Sequence, residues 1–191
     1  MVTRFVKTAD GCDLEVLESK ASPSSSSPRP PLLFVHGSGH AAWCWAELFM
    51  PYASSRGFDS VALSLRGRGK SGPPPPGARA GGTLESHAED VAAVAEMLVS
   101  EGRSGRPPIV VGHSFGGMVV EKLALRERER EEGASAAAAA AGSSSSSASA
   151  SSSSSNGASS SSLLSGIALL NSVPPSGNAA MIRRIAKERG L

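Results

Sequence analysis

The stretch that decides the fold of this chain is Gly112-His113-Ser114-Phe115-Gly116, a G-x-S-x-G sequence. It follows an Ile-Val-Val run typical of a short buried strand, and it precedes an apolar, helix-like run at residues 118–124. Strand, sharp turn and helix form the context that exposes a nucleophilic serine. Gly112 and Gly116 allow the strand and the helix to approach closely. The motif therefore predicts Ser114 as a catalytic nucleophile, and a glycine-rich turn before an ordinary helix is the alternative.

Composition narrows the function classes. The chain has 191 residues and a formal net charge of +2, with dispersed basic residues, which argues against a nucleic-acid partner. Two cysteines, Cys12 and Cys44, favour a reducing compartment over a disulfide-built domain. No metal-binding motif occurs, and no apolar run approaches the ~20 residues of a membrane span. We expect no metal, no cofactor and a cytoplasmic location, with the plastid left open.

Short apolar runs alternate with amphipathic segments along the chain. This alternation predicts an α/β fold with a mostly parallel sheet and helices on both faces. An Asp-Gly turn predicts a hairpin before the first buried strand. The expected strands cover residues 3–8, 13–18, 32–35, 60–65, 109–111 and 167–170, and the helices begin near Trp45, Thr83 and Met118. Helical spacing places four apolar residues on one face of each of the first two helices: Trp45, Leu48, Phe49 and Tyr52 in the first, and Val91, Val94, Ala95 and Leu98 in the second. Thr83 and Ser86 are the expected caps of the second helix.

Three parts are expected along the chain. Residues 1–132 carry the main α/β unit. Residues 133–162 are almost wholly Ala, Ser and Gly, and this low-complexity insertion has too little apolar surface to offset its ordering entropy, so we predict that it is disordered. The six-alanine run within it allows local helix. Residues 163–191 supply a further strand and the start of a cap region.

Three ordered motifs resemble the α/β-hydrolase fold superfamily. The sequence 36–39, His-Gly-Ser-Gly, follows a buried strand where the family has its oxyanion loop. The sequence 66–71, Arg-Gly-Arg-Gly-Lys-Ser, resembles the family's R-G-x-G-x-S turn, and 112–116 is its nucleophile turn. The segment 40–45 is similar to a form common in plant members. The resemblance implies an esterase-like serine hydrolase with a small-molecule, ester-like substrate.

A P-loop is the rival interpretation of the turn at 66–71. Its pattern needs glycine at position 64, where the chain has Ser64, and the prolines at 73–76 forbid the helix whose amino end would bind phosphate. We therefore expect no nucleotide site here.

The resemblance also implies roles for the residues around Ser114. The backbone N–H groups of Phe115 and Ser38 would hold the oxyanion, and the side chain of Ser38 is the alternative donor. The supporting residues implied in the loop and the turn are His36, Gly37, Gly39, Gly112, His113 and Gly116.

The other two members of a catalytic triad are missing from the expected positions. In this fold the acid and the histidine follow the serine in the chain, but no histidine and no aspartate follow Ser114. His40 is the one upstream histidine expected near the mouth of the site. The resemblance thus implies a C-terminally truncated hydrolase with impaired activity. A non-catalytic protein that binds a small hydrophobic ligand in the same fold is the alternative, and the oligomeric state stays undetermined.

Overall fold

Six strands form one sheet in this computed structural model, which describes residues 1–22, 29–77, 79, 81–142 and 162–172. The sheet order is β1-β2-β4-β3-β5-β6, with β1 and β2 antiparallel to their neighbours and β4, β3, β5 and β6 mutually parallel. The predicted mostly parallel sheet is therefore confirmed. The strands are β1 Val2–Lys7, β2 Asp13–Ser19, β3 Leu32–Val35, β4 Ser60–Leu63, β5 Ile109–His113 and β6 Gly166–Leu170.

Helices cover both faces of the sheet, as predicted. Helices α2 (Leu84–Ser100) and α3 (Phe115–Gly142) pack on one face, where their valine and leucine side chains meet those of the strands. Helix α1 (Phe49–Ser55) and a short 3-10 turn at Ala42–Trp45 cover the other face. Burial on both faces explains why the parallel strands read as continuous apolar runs rather than as alternating patterns.

Helix α2 begins and packs as its sequence predicts. The side chain of Thr83 accepts a hydrogen bond from the Ser86 N–H, and the Ser86 side chain accepts one in return from the Thr83 N–H. This reciprocal cap satisfies two amides that the first helical turn cannot pair internally. The four apolar residues expected on one face, Val91, Val94, Ala95 and Leu98, are all fully buried.

The prediction for the first helix is wrong in its burial pattern. We expected Trp45, Leu48, Phe49 and Tyr52 to share one buried helical face. The segment instead breaks into the 3-10 turn and the later helix α1, so Trp45 is buried while the other three residues are largely exposed. A 3-10 turn has fewer residues per turn than an α-helix, so apolar residues spaced for an α-helix do not stay on one face where the turn gives way to α1. The 3.6-residue spacing of the sequence does not reveal this break.

The low-complexity stretch differs from its prediction where it is described. Helix α3 continues through residues 133–142, so the first third of the predicted insertion is helical. Alanine has the highest helix propensity, and an existing helix propagates at lower cost than a new one nucleates. The rest of that prediction falls on residues 143–161, and the predicted start of a cap region falls on 173–191; both lie outside the described residues.

Candidate active site

Ser114 occupies the single-residue turn between β5 and α3. Its φ of +53° lies in the left-handed region, which is rare for a residue with a side chain. The N–H of Ser114 donates to the Leu170 carbonyl oxygen at 3.0 Å, and its carbonyl oxygen accepts from the Gly117 N–H at 2.9 Å. The left-handed backbone is thus held by β6 on one side and by the first turn of α3 on the other.

The two glycines of the motif allow the close contacts that this turn requires. A Cβ on Gly112 would lie 2.6 Å from the Gly116 carbonyl oxygen, and a Cβ on Gly116 would lie 2.5 Å from the carbonyl oxygens of Val35 and His36. These neighbours are backbone atoms that a side-chain movement cannot relieve. The two glycines of the motif therefore allow β5, α3 and the end of β3 to contact one another directly.

The loop that follows β3 lies directly against the serine turn. A Cβ on Gly37 would be 3.1 Å from Ser114 Cβ and 3.0 Å from His113 Nδ1, so Gly37 lies directly against Ser114 and the last residue of β5. Gly39 has a φ of +76°, which glycine adopts without strain. Ser38 between them is exposed, and among the described residues its N–H has no hydrogen-bond partner. The fold thus brings together the two segments that the sequence predicts to form the site.

His36 anchors this loop from inside the protein. The side chain is 1% exposed; its Nδ1 lies 2.8 Å from the Gly37 carbonyl oxygen, and its Nε2 accepts from the Leu65 N–H at 3.0 Å. Since Nε2 accepts, the proton sits on Nδ1, which donates to Gly37. Burial lowers the pKa of His36 to about 4, because the low-dielectric interior disfavours the imidazolium form. His36 is therefore neutral at physiological pH and holds the loop.

A cavity of about 540 Å³ opens at the carboxyl ends of the parallel strands β5 and β6, where it is lined by His113, the neighbour of Ser114. We call it the site cavity. Its wall includes Trp45, which stacks on Phe34 and meets Phe49 and His113 edge-on. Trp45 is 3% exposed, and its Nε1 has no hydrogen-bond partner among the residues that the structure describes. The lining residues are His40, Cys44, Trp45, Phe49, His113, Leu169, Leu170 and Asn171.

The four histidines occupy different environments around the site. His40 is exposed and lies 6.5 Å from His113 between ring centroids, so both rings line the mouth of the site cavity. His87 is buried in α2, and its ring meets Phe115 edge-on at 5.5 Å. His36 has both ring nitrogens engaged within the fold. The site cavity thus brings together the two imidazoles that are free to face a ligand.

The turn at 66–71 is held by buried charges that sequence reasoning missed. The Arg66 side chain donates to both carboxylate oxygens of Asp90, at 2.7–3.0 Å, and to Asp10 at 2.7 Å. The Glu15 carboxylate accepts from the Lys70 N–H and from the Ser64 hydroxyl. Asp90 sits in the middle of α2 and Glu15 within β2, so no local pattern marked either as a partner of this turn.

The part of the chain that the structure describes lacks a metal cluster and a membrane-spanning helix. Within it, no group of three or more histidine, cysteine, aspartate or glutamate side chains is placed to hold a metal ion. None of the described helices combines the length and apolar composition needed to cross a membrane.

Comparison with known proteins adds a family and several relatives. The model of the alpha/beta hydrolase family matches residues 32–190. Protein phosphatase methylesterase 1 of Bos taurus is 36% identical over 97 residues, which cover 50% of this chain and 24% of that protein. The chain thus spans about a quarter of the length of this curated relative.

Solved structures with a similar fold include enzymes of different activities. The bottromycin epimerase BotH, solved with bottromycin A2, is 27% identical with a TM-score of 0.50, over 64% of this chain and 43% of that one. The epoxide hydrolase VrEH1 of Vigna radiata is 27% identical with a TM-score of 0.50, over 65% and 35%. An esterase from Exiguobacterium antarcticum, 20% identical with a TM-score of 0.51 over 65% and 40%, shares the fold.

Proposed function

This chain belongs to the alpha/beta hydrolase family, and on that premise we propose that Ser114 is the nucleophile of a hydrolase that acts on small ester-like substrates. The observation that carries the proposal is the left-handed backbone of Ser114, at φ +53°, at the end of a buried parallel strand. Strained backbone conformations are concentrated at active sites, where the surrounding structure maintains them. Here β6 and α3 maintain the left-handed backbone of Ser114.

The chemistry follows from the groups around the serine. The Ser114 oxygen forms a bond to the ester carbonyl carbon while its proton passes to a base, and the carbonyl electrons move onto oxygen. Collapse of this oxyanion expels the alcohol part, which takes up a proton, and leaves an acyl-serine that water hydrolyses. The Phe115 N–H, first in α3 and so without an intrahelical acceptor, and the Ser38 N–H are the proposed donors to the oxyanion.

Of the groups that a triad hydrolase needs, the described residues include the proposed nucleophile and the proposed oxyanion donors. His36 is committed to the loop and His87 to the interior, so neither is free to take the serine proton. His40 and His113 line the site cavity, but no imidazole among the described residues hydrogen-bonds the Ser114 hydroxyl, so we expect slow acylation by an activated ester and, for the same reason, slow hydrolysis of the acyl-serine. We therefore expect this chain to accumulate the acyl form rather than to turn over rapidly.

Trapping that acyl form tests the proposed function. The purified chain is incubated with p-nitrophenyl acetate, and the site of acetylation is mapped by peptide mass spectrometry. Acetyl on Ser114 that is absent in Ser114→Ala is the expected result. Ser100→Ala is the matched control, because Ser100 is an exposed serine at the far end of α2. Equal serine acetylation in Ser114→Ala would reject Ser114 as the nucleophile.

A second candidate function is the non-catalytic binding of a small hydrophobic ligand. The commitment of His36 and His87 to the fold, together with the apolar wall of the site cavity, favours it. The similarity to BotH, which was solved in complex with bottromycin A2, also supports it, because a related fold there holds a bound ligand. Saturable ligand binding without any acetylation of Ser114 would favour this candidate.

A further inference from the structure

Asn171 is an unusual residue in the wall of the site cavity. It follows the last residue of β6 and has a φ of +46°, one of three positive values among non-glycine residues that the structure describes. Another of the three is Ser114 itself. Glycine adopts this conformation without strain, although asparagine tolerates it better than most residues. A side chain kept at such a position, and facing a cavity, indicates that the side chain has a use.

The residues on either side fix Asn171 relative to the serine turn. The Leu170 carbonyl oxygen accepts from the Ser114 N–H at 3.0 Å, and the Ser172 hydroxyl donates to the Ser114 carbonyl oxygen at 3.3 Å. The Ser172 side chain also packs closely over Gly117. Asn171 is thus bracketed by two residues that bond the backbone of Ser114, so its distance from that serine is set by the fold.

The side-chain amide of Asn171 is available to a ligand. Asn171 is exposed, and its amide makes no hydrogen bond to any other described residue. The other described residues that line the site cavity are apolar or aromatic apart from two imidazoles and the Cys44 thiol, and none of them is an aspartate, glutamate, lysine or arginine. The cavity therefore suits an uncharged hydrophobic group, and the amide adds one donor and one acceptor at a fixed place.

We propose that Asn171 is a specificity-determining residue: its amide hydrogen-bonds a polar substituent, such as a hydroxyl, on the uncharged hydrophobic group of the substrate. The proposal rests on the proposed function, since it places that group in the cavity beside Ser114. A hydrogen bond from the amide to a neutral group of the bound ligand corresponds to an affinity about 3- to 10-fold higher than that of a ligand without this group. The amide selects among similar hydrophobic ligands, while the apolar wall provides most of the binding.

Binding of stable ketones in place of esters tests this selection. The ligands are cyclohexyl methyl ketone and its ring-hydroxylated derivatives, which absorb only weakly where tryptophan does. Trp45 reports occupancy, and a Trp43→Phe background removes the other tryptophan, which is 60% exposed. We expect at least one hydroxylated isomer to bind about 3- to 10-fold more tightly than the parent ketone. In Asn171→Gly that preference should vanish while affinity for the parent ketone is retained.

The matched control is Ser104→Gly, since Ser104 is another non-glycine residue of positive φ, at +57°, and does not line the site cavity. The preference should survive there. The proposal would be overturned if the preference persisted in Asn171→Gly or were lost in Ser104→Gly. It would also be overturned if no isomer were preferred or if no ligand showed saturable binding. Acetylation of Ser114 is measured separately. If Ser114 is acetylated but no hydroxylated isomer is preferred, only the role of Asn171 is rejected. If an isomer is preferred but Ser114 is not acetylated, only the proposed hydrolase is rejected.

Discussion

Two glycine-rich segments leave the same edge of the sheet, and they differ in how their polar groups are used. The loop at 36–40 follows β3 and the turn at 66–71 follows β4, its parallel neighbour. In the turn, the N–H groups of Gly67, Arg68, Lys70 and Ser71 all donate to protein oxygens. In the loop, Ser38 is exposed and its N–H has no partner among the described residues.

This difference shows why glycine content alone does not mark a binding loop. Free backbone N–H groups at the end of a strand attract an anion or a developing oxyanion. In the turn that position is taken by the protein's own carboxylate, since Glu15 accepts from Lys70. The P-loop interpretation fails here for a physical reason as well as a sequence one. The turn is a closed structural element, and we expect the loop to be the functional one.

The largest effect that we expect lies in the closed turn. Asp90 is fully buried and accepts from the Arg66 side chain and backbone N–H, so Asp90→Ala leaves a buried guanidinium whose remaining ion pair is with the more exposed Asp10. Loss of one partner of such a pair costs about 3–5 kcal/mol. Urea unfolding measures the change. Glu132→Ala, which removes an exposed ion pair with Arg128, should leave stability nearly unchanged, because solvent screens that pair. An equally small loss in Asp90→Ala would contradict the distinction between the two elements.

The next prediction concerns the open loop and decides which group of Ser38 acts. Ser38→Pro removes the backbone N–H, and if that N–H holds the oxyanion, acetylation of Ser114 should slow by about 10²–10³-fold. Ser38→Ala keeps the N–H and should acetylate at close to the original rate. Stopped-flow release of p-nitrophenol measures both, with circular dichroism to verify folding. A slow Ser38→Ala variant would assign the role to the hydroxyl instead.

The anchor of the open loop predicts a pH dependence of stability. The pKa of His36 is about 4 in the folded protein and about 6.5 in the unfolded chain. The stabilisation is therefore fully present above pH 6.5 and is lost as the pH falls towards 4, because only the unfolded chain takes up the proton in that window. The expected loss is about 3 kcal/mol. Urea unfolding at a series of pH values should show this loss of stability in the parent chain and not in His36→Asn. The same dependence of stability on pH in both chains would contradict the prediction.

A smaller contrast comes from one glycine in each segment. Gly39 and Gly69 both have positive φ, but a Cβ on Gly39 meets nothing within 4 Å, whereas one on Gly69 would overlap the Glu15 carboxylate and the Ser64 hydroxyl. Gly39→Ala should therefore cost only the backbone strain, about 1–2 kcal/mol. Gly69→Ala should cost about 1–3 kcal/mol more through overpacking. Thermal unfolding compares the two, and equal costs would show that the turn is not closed.

The sequence predicted those features that depend on local pattern. The motif at 112–116 specified a strand, a turn and a helix, and the Thr83 cap and the apolar face of α2 followed from spacing alone. The partners of the turn at 66–71 could not be predicted, because Glu15 and Asp90 lie 55 and 24 residues away from the groups that they bind. Asn171 was also missed, since a left-handed residue at a strand end has no sequence signature beyond a common turn residue.

The position at which a serine-directed fluorophosphonate reacts tests the assignment of Ser114 most directly. We predict that the adduct maps to Ser114 and that labelling falls by at least about 100-fold in Ser114→Ala, because the oxyanion donors around this one residue stabilise the phosphonylation transition state. Labelling should be unchanged in Ser100→Ala. A fluorophosphonate adduct on another serine, or equal labelling of the Ser114→Ala variant, would contradict the assignment of the open loop and the serine turn as the active site.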